Sequence, residues 1–164
     1  MGVMRLAHSS RSQPPSGRPN LFWQMRNKAE NVVRRYVAAV NARDADAIIA
    51  LLHPDCRFID SHGFGIDGID DCTDAVRAFM ALGSNFRMHV EGISNNHGDI
   101  LLRGHTEAED ASLATDTLWL ARVEDGRLLY WQSFGESSAP ALAHRLMPDK
   151  AEPLEDTPSI RIAN

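Results

Sequence analysis

The chain is short of cysteine, of aromatic residues and of long apolar runs, and each shortage removes a class of protein. Cys56 and Cys72 are its only cysteines, and neither belongs to a closely spaced metal or redox pair. They read as two small buried or half-buried thiols. With no export signal in view, a disulfide is not expected. No stretch approaches eighteen consecutive apolar residues, so no helical membrane span and no membrane partner are expected. The opening MGVMRLAHSSRSQPPSGRPN carries arginines but lacks the apolar core, about seven to fifteen residues long, of a secretory signal. Gly2 alone is a weak myristoylation cue. A cytoplasmic protein is the expectation. Basic side chains are also few, seventeen against twenty-two acidic, for a formal charge of −5. That balance disfavours a large phosphate-binding surface, and no nucleic acid partner is expected. Lys28, Arg34, Arg35 and Arg43 read as the solvated face of a helix, with no aromatics interleaved to stack on bases.

What remains is a chain of 164 residues, 43% hydrophobic and 24% charged, which suits one globular domain. Residues 1–20 are rich in Ser, Arg, Gln, Pro and Gly and read as a flexible arm. Residues 21–137 form the expected domain. Residues 138–164 read as a tail containing one short helix between Ala139 and Met147, with Pro148, Pro153 and Pro158 interrupting the remainder.

Within the domain, Val32, Val33, Tyr36, Val37 and Val40 recur every three or four residues, which predicts a helix to about Asn41. Asp44, or the asparagine before it, caps a second helix carrying Ala47, Ile48, Leu51 and Leu52. Pro54 disfavours helical geometry at His53 and ends it. Cys56 to Asp60 reads as a short strand, followed by the glycine-rich loop SHGFGIDGID. The order of glycines in that loop fits no phosphate-binding fingerprint, and its acids fit no calcium loop. A third helix uses Ala75, Val76, Phe79, Met80 and Leu82, and Gly83 ends it. Four strands follow, over 86–93, 100–108, 113–123 and 127–134, with Asp125-Gly126 marking a tight hairpin. The expected architecture is α+β: three N-terminal helices packed on a strongly curved, mostly antiparallel sheet that forms a cone with an internal cavity.

Period-two alternation places Trp131 and Ser133 on one face of the last strand, and Thr115, Thr117 and Trp119 on one face of the strand before it. The other face also carries large apolar residues. One face is therefore expected to line a pocket and the other to cover a partner subunit, since exposed apolar area on a sheet is costly. Tyr36 is either a core aromatic or a hydroxyl donor in that pocket. Asp60 is either a general base in an apolar setting or a cap for the loop at 61–65. His62 is a second acid-base group if the strand continues, and an open-loop residue if it does not. Arg103 and His105 share a face: inward they give the pocket a charged pole, outward they join the subunit interface. The same choice applies to His89. Asp60, His62 and His105 have no recognised metal-ligand spacing, so neither a metal nor another cofactor is expected. No serine or cysteine sits in a nucleophile motif.

The run RRYVAAVNARDADAIIALLHPDCRFIDSHG resembles the opening of the bacterial ketosteroid isomerases, within the nuclear-transport-factor-2-like superfamily. The hairpin DGRLLYWQSFGE resembles the last strand of that family. HPDCRFID and RVEDGRLLYWQ also resemble the polyketide-cyclase-like (SnoaL-like) branch, and the resemblance covers about residues 25–137. It implies that Tyr36 donates to a developing enolate oxygen and that Asp60 moves the proton. It further implies that Trp131 and Ser133 face the cavity, and the expected pocket lining is Val40, Phe58, Phe79, Trp119, Trp131 and Ser133. The isomerases use a protonated aspartic acid as a second oxyanion donor. Inward parity puts Trp119 at that place here, and Asp116 reaches it only by a register shift. The implied function is proton transfer on an enolisable, apolar or aromatic carbonyl compound, by a homodimer joined through the outer sheet face. The alternative is a noncatalytic ligand-binding or interaction domain. On the catalytic reading, Asp60→Asn stops turnover and leaves folding nearly intact.

Overall fold

The computed structural model describes residues 21–136 and 140–154. The arm assigned to residues 1–20, and the last ten residues of the tail, lie outside them. Helix α1 (Leu21–Ala42) leads through a turn at Arg43 to a short α2 (Ala45–Ala50). Asp44 caps α2 by accepting from the Ala47 N–H at 2.9 Å. Strand β1 (Leu52–Ile59) and strand β2 (Phe64–Asp67) precede helix α3 (Ile69–Ala81). Strands β3 (Arg87–Asn96), β4 (Asp99–Glu107), β5 (Asp116–Glu124) and β6 (Arg127–Phe134) follow, then helix α4 (Leu142–Leu146) and a two-residue strand β7 (Glu152–Pro153).

The seven strands form one sheet in the order β3-β4-β5-β6-β1-β2-β7, in which β1 and β6 are the parallel pair. This overturns the expected cone. Strands β3 and β7 are opposite edges that do not pair, so the sheet is open rather than closed around a cavity. Its inner face is covered by helices instead. The three helices precede β3 to β6 as expected, and β2 is an addition to the single strand expected before α3.

The second helix is shorter than its apolar pattern suggests. Leu52 already belongs to β1, where the Leu128 N–H donates to the Leu51 carbonyl at 2.8 Å. Pro54 does not break this strand because the β1–β6 register shifts between Leu52 and Arg57. A proline without an N–H is tolerated at such an irregularity. The loop after Asp60 likewise contains a strand: β2 pairs with β1, Phe58 opposite Ile66 and Ile59 opposite Gly65. At the β3–β4 and β5–β6 turns, His97-Gly98 and Asp125-Gly126 all have positive φ, the conformation of a two-residue hairpin turn.

The core lies between the sheet and the helices. Helix α1 contributes Val32, Val33, Tyr36, Ala39 and Val40, and α3 contributes Cys72, Ala75 and Val76. They meet Leu102, Trp119, Ala121, Leu128 and Trp131 from the sheet. Both cysteines are free and fully buried. The Cys72 thiol donates towards the carbonyls of Ile66 (3.4 Å) and Cys56 (3.6 Å). The neighbouring Cys56 thiol, together with burial, pushes Cys72 well above the usual thiol range. Among the described residues no helix is long and apolar enough to cross a membrane.

Candidate functional site

Tyr36 lies on the buried face of α1, against the sheet. It follows Val33 by one helical turn on the buried stripe and precedes Val40 by another. Its ring lies 4.7 Å from that of Trp131 on β6 and 6.4 Å from that of Phe58 on β1. Burial pushes its phenol well above the ordinary tyrosine range, with the nearby Cys72 and Cys56 thiols adding to the effect. The hydroxyl is therefore a proton donor at any physiological pH. Among the described residues it has no hydrogen-bond partner, and it faces a pocket of about 140 Å³.

That pocket runs between the inner sheet face and helices α1, α3 and α4. Val40, Phe58, Phe79, Trp119, Trp131 and Ser133 line it together with Tyr36 and Asp60. Strand parity explains the placement on β5: Thr117, Trp119 and Ala121 are buried while Asp116 and Leu118 are exposed. Trp119, not Asp116, faces the pocket.

Asp60, at the end of β1, is held by backbone donors. Its Oδ1 accepts from the N–H groups of His62 (2.8 Å) and Phe64 (3.0 Å). Its Oδ2 accepts from the N–H of Ala143 at 2.9 Å, across 83 residues. One carboxylate thus closes the β1–β2 turn and pins α4 over the pocket. A carboxylate offers about four lone-pair positions, and these contacts occupy three.

Helix α4 is the part of the site that sequence reasoning missed. Its apolar residues Leu142 and Leu146 sit four apart, which is enough to read a helix but says nothing about where it docks. In the structure Leu142, Ala143 and Leu146 form a wall of the pocket. The His144 ring packs 4.4 Å from that of Phe64 on β2. Strand β7 extends the sheet beside β2, pairing Glu152 with Gly65. Residues 142–154 therefore pack on the domain.

A second, more polar pocket of about 90 Å³ adjoins the first and shares Asp60, Trp119 and Ser133 with it. His62, exposed on the β1–β2 turn, lines this second pocket, as do Thr106, Thr117 and Arg145. Arg103, His105 and Asp116 are not brought to either pocket. They lie on the opposite sheet face, with His105 paired to Asp116 and Arg103 to Leu118.

A family model described as a SnoaL-like domain matches residues 33–131. No curated protein sequence matches the chain closely enough to be called a relative. Several solved structures share its fold. An LEH-like epoxide hydrolase from M. tuberculosis is 18% identical with a TM-score of 0.59, covering 68% of this chain and 85% of its own. An NTF2-like protein of unknown function from Burkholderia pseudomallei is 18% identical with a TM-score of 0.59, covering 73% of this chain and 96% of its own. A protein from Sinorhizobium meliloti, described provisionally as a polyketide cyclase, is 16% identical with a TM-score of 0.57, covering 63% and 93%. At these identities the likeness is one of fold.

Proposed function

Because this chain belongs to the SnoaL-like domain family, we propose that it binds a compact apolar carbonyl compound, with Tyr36 donating to the carbonyl oxygen. The observation that carries this reading is the Tyr36 hydroxyl, which faces a mostly apolar pocket without a hydrogen-bond partner among the described residues. A donor that opens onto an apolar pocket gains a hydrogen bond when an acceptor enters. The volume, about 140 Å³, is close to that of dry cavities of about 150 Å³ that take up a benzene ring. It supports a one-ring ligand, whose polar substituent would lie towards Thr117 and Ser133 in the adjoining pocket. A fused four-ring body does not suit it.

Binding of cyclohexenone-sized ketones to the wild type and to Tyr36→Phe, followed by calorimetry, tests this reading. The variant should bind the ketone about fivefold more weakly, for the loss of about 1 kcal/mol of hydrogen bonding. It should bind the matching hydrocarbon equally well. Equal ketone affinity in both proteins would sink the proposal.

Proton transfer on the bound carbonyl compound, as in an isomerase or cyclase, is the second reading. Asp60 favours it, because its carboxylate borders both pockets and keeps one lone-pair position free. In that chemistry Asp60 takes the α-proton while Tyr36 and the Trp119 indole N–H hold the enolate oxygen. We further propose that two copies pair through the outer sheet face, where Leu101, Leu118 and Phe134 are exposed. Leu118 and Phe134 are register partners, so they form a continuous apolar surface of the kind that marks an interface.

A further inference from the structure

A cluster of imidazoles and carboxylates lies on the outer face of the sheet, away from the pocket. His89 on β3 and His105 on β4 are register partners. Their rings stack 4.7 Å apart with 13° between planes. Nε2 of His89 lies 3.0 Å from a carboxylate oxygen of Glu107, and Nδ1 of His105 lies 3.3 Å from one of Glu91. One ligand atom each from His89, His105 and Glu107 lie within 4.8 Å of one another. Glu91 enters this group from a bulge between Val90 and Gly92, where it has no register partner; bulges commonly re-aim a side chain in this way. The backbone approach is close enough that a Cβ on Gly104 would sit 1.8 Å from the His89 carbonyl oxygen, so glycine is required there.

Two cross-strand ion pairs do not account for the arrangement. The two rings stack face to face, which brings their nitrogens and the Glu107 carboxylate into one group. Nε2 of His89 is also shielded from water and makes no aligned hydrogen bond, although the Glu107 carboxylate is beside it. A cation between the two completes both. Glu91 can only accept, so Nδ1 of His105 carries the proton in their contact and Nε2 is left to ligate. A carboxylate on the far nitrogen is the usual orienting partner of a metal-bound histidine.

We propose that His89, His105 and Glu107 bind a divalent transition-metal ion of the zinc type, with Glu91 positioning His105. Two imidazoles, one carboxylate and a solvent position make up a four-coordinate set that suits such an ion. At bond lengths of about 2.0–2.2 Å, ligand atoms in a tetrahedral site stand about 3.4 Å apart. Rotamer adjustments of about an ångström therefore close the group around the ion. The spacing of positions 89, 105 and 107 matches no ligand motif, and only the β3–β4 register assembles them.

The test is calorimetric titration of zinc chloride into the full chain at pH 7.5, with circular dichroism of every variant. The wild type should take up one ion per chain. His89→Ala, His105→Ala and Glu107→Gln should each bind at least tenfold more weakly. Glu91→Gln, which keeps its shape but loses the carboxylate, should weaken binding about tenfold. No saturable uptake by the wild type overturns the assignment. So does a loss of less than tenfold in any of the three ligand variants, since the ion would then sit elsewhere.

Discussion

Asp60 shows how one side chain can be read two ways. Its three backbone N–H partners, from His62, Phe64 and Ala143, make it a structural tie whatever it does to a ligand. Asparagine has one acceptor oxygen and would turn its amide N–H₂ towards a backbone donor. Asp60→Asn should therefore cost about 1–3 kcal/mol, the range for leaving a buried donor unsatisfied. Denaturant unfolding would measure this as a lower midpoint, and an unchanged midpoint would refute it. The expectation that this variant leaves folding nearly intact is thus revised. Asp60 was legible as a strand-end acid because Arg57-Phe58-Ile59 precede it. Its partner Ala143 was not legible, since no local pattern links residues 83 positions apart. The His89–His105 pair was hidden for the same reason: it exists only through strand register.

At the scale of elements, α4 is held at both ends of its short length. Beyond the Asp60 contact, the Arg145 guanidinium reaches Oδ2 of Asp110 at 2.8 Å and the Ser112 hydroxyl at 2.9 Å. The Ser112 hydroxyl, then the Arg145 guanidinium, then the Ser112 N–H hold the Asp110 carboxyl down at about 2. A folded-state value below the ordinary carboxylate range gives stability that is fully present above about pH 4. It is lost as pH falls through about 2. Carboxyl NMR should find the Asp110 midpoint near 2 in the wild type and displaced upward in Arg145→Ala; an unmoved midpoint would remove Arg145 from this role. Elements with strong local signals were readable, such as the Asp125-Gly126 hairpin and the apolar stripe of α1. Strand β2 was not, because three glycines within six residues resemble a loop. Strand β7 was not, because two residues ending in proline carry no pattern. The open sheet was also illegible, since closure depends on whether β3 and β7 meet.

For the whole molecule, the proposed pairing of two copies rests on the outer face. Leu118 is 54% exposed and Leu101 46%, more apolar area than an unpaired sheet face easily keeps in water. Light scattering should find a dimer at micromolar concentration, and Leu118→Glu should shift it to monomer with an unchanged circular dichroism spectrum. A wild-type monomer would rule out this interface. The alternation of apolar and polar residues on β5 made two distinct faces legible in the sequence. It could not say which face carried Arg103 and His105, because parity fixes relative sides and only the packed helices fix inside and outside.

The single parallel seam of the sheet also sets an order of events in time. Strand β1 pairs with β6, so Arg57 waits for Tyr130, 73 positions later. The meander of β3 to β6 can assemble from near neighbours as the chain emerges, whereas β1 and β2 have no place to dock until β6 exists. Contacts this distant in sequence are slow to form, and an apolar strand edge left waiting is an opening for aggregation. The α4 wall comes later still, so a chain being synthesised has a sheet before it has a pocket.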